Sequence, residues 1–213
     1  MNSLWPRSRL LRNSRLLRRA DAIVDAAANV FAERGYHGTS TQAIADVLGL
    51  RQASLYYYFP SKEAALELVC ERGVDGFVET AEAILAGAGT PLEKLTALIA
   101  AHLAPNASKR DYVKVFINER RYLADASRRR IGRKSRRIER CFEEVIRAGI
   151  ADGSMREGAD LRLTMLAVLG MMNSVINWRA ADQDDASVAR IAAELSQLVV
   201  AGLAKPVPAR KRT

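Results

Sequence analysis

Residues 39–62 read T-S-T-Q-A-I-A-D-V-L-G-L-R-Q-A-S-L-Y-Y-Y-F-P-S-K, and two short helices joined by a glycine turn can be read from that string. Ser40 is placed to cap the first helix, its hydroxyl meeting the free amides of the opening turn. Ile44, Val47 and Leu48 recur at helical spacing, and Ala45 leaves room for a second helix to cross closely. Gly49 supplies the positive φ of a sharp helix exit, and Leu50 returns apolar surface beneath the turn. The second helix covers 52–59 and stops there, because Pro60 disfavours helical geometry at Phe59. Its apolar positions, Leu55 and Phe59, lie four apart, which leaves Gln52, Ala53, Ser54, Tyr56 and Tyr57 to face outward. Such a surface is poor at building a core.

The same surface suits a DNA groove. Gln pairs bidentately with adenine, Ala packs on a thymine methyl, and Ser bonds to several base edges. Tyr hydroxyls hold phosphate oxygens and fix register without reading sequence. Ser61 and Lys62 follow at a new helix start, where free amides and an ammonium are expected to meet another phosphate. The unit is a helix-turn-helix with anchors. At these residues the chain resembles the DNA-binding domain of the TetR family of bacterial transcriptional regulators. The similarity runs from about Ala22 to Leu68, through A-A-A-N-V-F-A-E-R-G-Y-H-G-T-S, I-A-D-V-L-G-L, S-L-Y-Y-Y-F-P-S-K and E-A-A-L. The resemblance implies that Thr41, Gln42, Gln52, Ala53, Ser54, Tyr56, Tyr57, Tyr58 and Lys62 lie at the DNA. Gln52 stands where Lys often occurs, Ala53 where Gly is frequent and Tyr58 where His is common, so the operator sequence does not follow from the family.

Working outward, the 213 residues carry 49% hydrophobic and 27% charged side chains, a globular balance. Apolar positions recur at helical period and no alternating strand runs appear, so the expected fold is all-α. It comprises an N-terminal three-helix DNA-binding domain and a larger C-terminal helical domain for ligand binding and dimerisation, about nine helices in all. The expected divisions are a basic arm at 1–15, the DNA-binding domain at 16–69, the effector and dimerisation domain at 70–204 and a basic tail at 205–213. A formal charge of +9 favours a polyanionic partner. Arg7, Arg9, Arg12, Arg15, Arg18 and Arg19 in the first twenty residues read either as a solvated tail or as an arm that follows phosphates into a minor groove. No run approaches the roughly 18 apolar residues of a membrane span and no secretory signal is visible, so a cytoplasmic location is expected.

A first helix from about Leu16 to Arg34 turns Ile23, Val24, Ala27, Val30 and Phe31 to one side and ends at Gly35. A long helix from Ser61 to about Gly87 is read as one rigid element joining the two domains. Helices follow after Pro91, around Tyr112 to Tyr122, from Asp125 to Ala151, from Asp160 to Arg179 and from Ala186 to Gly202. The helix at 160–179 is apolar almost all round from Leu163 to Val175. It is read either as an internal core helix or, with 186–202, as a homodimer interface, which is the role of this pair in the resembled family.

Eight basic residues lie between Arg128 and Arg140 (Arg128, Arg129, Arg130, Arg133, Lys134, Arg136, Arg137 and Arg140). They read as a solvated face or as partners for a phosphate-bearing effector. N-S-V-I-N-W-R-A at 173–180 and I-N-E-R-R-Y-L at 117–123 are similar to regulators of fatty-acid, aromatic and steroid catabolism that sense acyl-coenzyme A thioesters. That resemblance implies an apolar chamber at Phe116, Phe142, Met165 and Leu169, with Arg120 and Trp178 beside it and arginines at its mouth. Cys70 and Cys141 are expected as buried structural thiols. No catalytic role, metal site or cofactor is expected: His37 and His102 have no visible ligand set, and no nucleophile motif or phosphate-cradling glycine loop is present. The alternative of a different class is a basic architectural protein that coats DNA without sequence choice.

Overall fold

A computed structural model describes residues 14–105, 109–158, 160–178 and 185–205, apart from the side chains of 14–18, 178 and 185. The arm at 1–13, nearly all of the tail and the Trp178 side chain therefore lie outside the described residues. Among the described residues there are ten α-helices: α1 Ser14–Gly38, α2 Thr41–Val47, α3 Gln52–Leu55, α4 Lys62–Val74, α5 Phe77–Ala86, α6 Pro91–Leu103, α7 Arg110–Glu119, α8 Asp125–Ala151, α9 Leu161–Trp178 and α10 Asp185–Leu203. A 3₁₀ turn, Arg120–Tyr122, extends α7, and a single antiparallel bridge ties Met155 to Ala204. The chain is all-α.

The local signals act as read. Ser40 Oγ accepts the Ala43 amide at 3.1 Å and Ser61 Oγ accepts the Ala64 amide at 3.2 Å, capping α2 and α4. Gly49 takes φ 61° and lets the Leu50 amide reach the Ala45 carbonyl at 2.9 Å, which closes the turn. Ile44, Ala45, Leu55 and Phe59 are buried against Ile23, Ala27, Val30 and Phe31 of α1. Val47 departs from its expected place among the apolar set and is 54% exposed, on the outer side of α2. α3 proper ends at Leu55, and the chain turns through Tyr58 to a Phe59 amide bonded to the Leu55 carbonyl at 3.0 Å.

The element expected to run unbroken from 61 to 87 is two helices. Gly76 sits at φ 87°, a conformation costly for any side chain, and starts α5 after α4 has closed at Val74. The apolar period continues through Val69, Val74, Phe77 and Ile84 across the break, which is why periodicity alone does not reveal it. Two apolar clusters lie on either side. One gathers α1 to α4 and takes in Val115, Leu123 and Ile131; the other gathers α5, α6 and α8 to α10 around Leu98, Ile99, Phe142 and Ile146. Cys70 and Cys141 are buried, one in each, and burial pushes the Cys70 thiol up to about 12.

The basic run on α8 is divided between two tasks. Arg130, Lys134 and Arg137 recur along one side and meet Glu67 and Glu71 of α4, Asp75 in the break after it and Glu82 of α5; Lys134 reaches Asp75 at 2.7 Å, and Arg137 takes Glu82 bidentately at 2.7 and 2.8 Å. These pairs are partly exposed, so solvent screens them and each adds little to stability. Their main effect is to fix the register of α8 across the α4–α5 break. Arg129, Arg133, Arg136 and Arg140 face solvent. Within α10, the window Ala186–Leu203 has a mean hydropathy of 1.3 and is long and apolar enough, by length and composition, to cross a membrane, contrary to the reading that no run approaches that limit. In this fold Val188, Ala192, Val199 and Leu203 of that window enter the second core, while 28% of the window is buried overall.

Candidate DNA interface and ligand cavity

The outward side of the helix-turn-helix carries the side chains expected there. Ala53 and Ser54 are exposed, as are Tyr56 and Tyr57, the latter at 72%. Gln52 is half-buried: its Nε2 donates to Thr41 Oγ1 at 2.6 Å, which orients the carboxamide at the start of α3. Gln42 is exposed on α2, with its amide donating to Asp46 at 2.6 Å. Tyr58 lies edge-on to Tyr57 with ring centroids 5.3 Å apart, which braces the exposed ring. Lys62 differs from the rest. Its Nζ donates to the carbonyls of Tyr36 and Thr39, both at 3.0 Å, and sits 4.3 Å from the Tyr36 ring centroid. The ammonium thus closes the C-terminal end of α1, where orphan carbonyls gather, and is not held out toward solvent.

A cavity of about 220 Å³ lies between α4, α5 and α6 on one side and α7, α8 and α9 on the other. Buried Val74, Val113, Ile138 and Leu169 line its depth, and exposed Arg120, Leu166 and Gly170 form its rim. Of the side chains expected to form a chamber, Phe116, Arg120 and Leu169 line it. Phe142 and Met165 do not: both are packed into the second core, with Phe142 facing a separate void of about 10 Å³. A helical apolar face carries no mark that separates a core position from a cavity wall. His102 and Asn173 also line the cavity, and His102 Nε2 lies 3.0 Å from Asn173 Oδ1. Burial holds the His102 imidazole below its usual range, with the Asn173 contact acting the other way, so the ring is neutral near pH 7. Each sits in a locally apolar stretch, L-I-A-A-H-L and V-L-G-M-M-N, but nothing in the sequence pairs the two.

The cavity wall reaches the DNA-binding helices through α7. Gly73 of α4 lies against α7 so closely that a Cβ there would meet the Tyr112 carbonyl oxygen at 2.7 Å and Phe116 Cβ at 3.0 Å. Arg120 stacks on Phe116 at 5.0 Å, and its neighbour Glu119 accepts the Tyr36 amide at 2.9 Å, just past the kink of α1 at Gly35. Tyr122 stacks on Tyr36 with centroids 5.1 Å apart and meets His37 edge-on at 4.6 Å. Tyr112 donates to Asp25, and Arg72 to Asp21 at 2.6 Å, closing the same seam further along α1. One helix thus lines the cavity on one side and holds the DNA-binding unit on the other.

A three-helix reading head joined by a shared helix to a helical domain with an internal cavity defines a helix-turn-helix transcriptional regulator. Comparison with known proteins agrees. The family profile described as bacterial regulatory proteins, tetR family, matches residues 23–69, and that described as tetracyclin repressor-like, C-terminal domain, matches residues 88–203. The chain therefore belongs to the TetR family of bacterial regulatory proteins. It is similar to the HTH-type transcriptional repressor KstR2 of Mycolicibacterium smegmatis, 32% identical over 146 residues, which are 68% of this chain and 71% of that one. It is also similar to the fatty acid metabolism regulator protein of Bacillus subtilis, 29% identical over 182 residues, 85% of this chain and 93% of that one. Among solved structures it resembles AibR in complex with isovaleryl coenzyme A and operator DNA, at a TM-score of 0.74 and 24% identity, covering 89% of this chain and 100% of that one.

Proposed function

We propose that the chain is a homodimeric, cytoplasmic repressor that holds a palindromic operator through α2 and α3 of its two copies and releases it when an acyl-coenzyme A thioester enters the cavity. The observation that carries this reading is the shared wall: Phe116 and Arg120 border the cavity while Glu119 beside them holds the Tyr36 amide. The similarity to a fatty acid metabolism regulator, and the coenzyme A ester bound to AibR, support a thioester as the effector class. The acyl group enters among Val74, Phe77 and Val113, and the exposed guanidinium of Arg120 at the rim meets a phosphate or the pantetheine chain. Gly73 and Val74 end α4 and Phe77 starts α5, so a ligand there bears on the Gly76 break and changes the distance between the two reading heads. Release follows from unequal ligand affinity for the two arrangements. The competing reading, a basic protein that coats DNA without sequence choice, gains nothing from these comparisons.

Two measurements test the proposal. Titration with acyl-coenzyme A esters is expected to raise the melting temperature and free the operator; a response to free acids or aromatic compounds with none to the thioesters would remove the effector class. Gln52→Ala is expected to relax base preference by roughly tenfold to a hundredfold at the positions under α3, the discrimination of one bidentate pair. Competition between operator variants reads this directly, and an equal loss on every sequence would show that Gln52 does not read bases.

A further inference from the structure

The cavity has a polar floor that its apolar walls do not require. His102 lines both the 220 Å³ cavity and the void of about 10 Å³ behind it, where Phe77, Ala81, Leu98 and Phe142 close the way into the core. The void holds at most a water, so the ring ends the space open to a ligand. With Asn173 Oδ1 at 3.0 Å from Nε2 and the ring neutral, the Nε2 proton is donated to that oxygen, and Nδ1 is left as a solvent-excluded nitrogen with no partner. The bond turns the Asn173 carbonyl toward His102. Both hydrogens of its Nδ2 then belong to a residue lining the cavity and have no acceptor among the described residues. The lining is mostly Val, Ile, Leu and Phe, so an amide donor there is costly when unmatched, and a carboxylate would add a second negative charge to a cavity that Glu139 already lines, with the Arg120 cation out at the rim.

We propose that Asn173, oriented by His102, selects effectors whose buried end carries an uncharged acceptor oxygen, such as a ketone, on an apolar body of about a dozen heavy atoms, the number that ~220 Å³ holds at protein packing density. The inference rests on the cavity being the effector site, and it names the chemistry at the end of the ligand remote from any coenzyme. Asn173 is a specificity-determining residue and His102 its positioning partner.

The test uses the full-length protein and three coenzyme A thioesters of equal chain length: a saturated acyl group, one with a ketone near its far end, and one ending in a carboxylate. Calorimetry is expected to give the keto ester at least tenfold tighter binding than the other two, because a site built around a hydrogen bond rejects the analogue that lacks it. Asn173→Leu, close in volume, is expected to reverse the order of keto and saturated esters while keeping operator affinity, which shows that the variant folds. His102→Phe, which leaves Asn173 without its orienting bond, is expected to shrink the preference. A wild type that favours the saturated ester, or an Asn173→Leu protein that keeps the keto preference, overturns the inference. A free medium-chain methyl ketone and the matching alkane separate it from the thioester reading. If no thioester binds but the ketone binds better than the alkane in an Asn173-dependent way, the inference stands and the thioester falls; if nothing binds, both fall.

Discussion

A chain carrying Leu163→Glu and Leu198→Glu is expected to sediment as a single copy and to lose operator affinity by about a thousandfold. Leu163 is 66% exposed on α9 and Leu198 63% exposed on α10, unusual positions for leucine in helices that otherwise feed the core. Their neighbours on the open sides are mostly small: Ala167, Gly170 and Ser174 on α9, Ala186, Ala189, Ala193 and Ala201 on α10, all exposed. Small residues between large ones let two helix pairs approach closely, and each leucine covered contributes about 1.5–3 kcal/mol. A second copy on this face, as proposed, would account for Ala186–Leu203 having the hydropathy of a membrane span while 28% of it is buried in one chain. A glutamate at either leucine would be enclosed without a partner, which opposes association strongly. A lone copy reads one half-site and forfeits the other, about one DNA turn away. Because both positions are open in the single chain, helicity by circular dichroism is expected to remain. Sedimentation velocity and operator titration check the outcome, and a variant that stays dimeric would place the interface elsewhere.

Most of the reading head was legible because its caps, turn and main buried positions are set locally, whereas Val47 and Lys62 went elsewhere than their spacing suggests. Ser40, Gly49, Leu55 and Phe59 act within a few residues of themselves, so cap, turn and buried positions can be placed from the string alone. The bounds of α8 were legible for the same reason, since Asp125 opens it and Asp152 with Gly153 follows its close. What stayed hidden depends on partners distant in the chain. The arginines of α8 show their charge but not the carboxylates sixty residues earlier that take Arg130, Lys134 and Arg137. His102 and Asn173 stand 71 positions apart and meet only when α6 and α9 pack. The break at Gly76 was masked by an apolar period that runs through it, and only the folded chain tells a tolerated helical glycine from one that ends the helix. Phe142 and Met165 have the apolar character of a cavity wall, yet α8 and α9 turn them into the core.

Lys62→Ala is expected to lower stability by about 2 kcal/mol and to weaken binding to every DNA sequence without changing the salt dependence. A lysine at the start of α4 reads as a phosphate anchor, and loss of such an anchor reduces the slope of log affinity against log salt by about one. The geometry points to another task. Two of the three ammonium donors go to the Tyr36 and Thr39 carbonyls, and the charge rests on the Tyr36 ring. Those carbonyls lie past the kink of α1 and directly before α2, so the contact clasps the first helix to the fourth across the base of the reading head. Hydrogen bonds from a charged donor contribute about 1.5–3 kcal/mol each, reduced here because the group is only partly buried. Removal frees two carbonyls and loosens the angle at which α2 and α3 are presented, which costs affinity on all sequences alike. Melting temperature and the salt slope separate the two roles: a protein of unchanged stability with a flattened slope would return Lys62 to the phosphate backbone. The clasp also shares Tyr36 with Glu119, which holds the amide of the residue whose carbonyl Lys62 holds. Lys62→Ala is therefore expected to reduce the difference in operator affinity between effector-bound and free protein, because Tyr36, which under the proposed mechanism would pass a shift of α7 to the reading head, keeps Glu119, Glu63 and Tyr122 but loses its hold on α4 through Lys62.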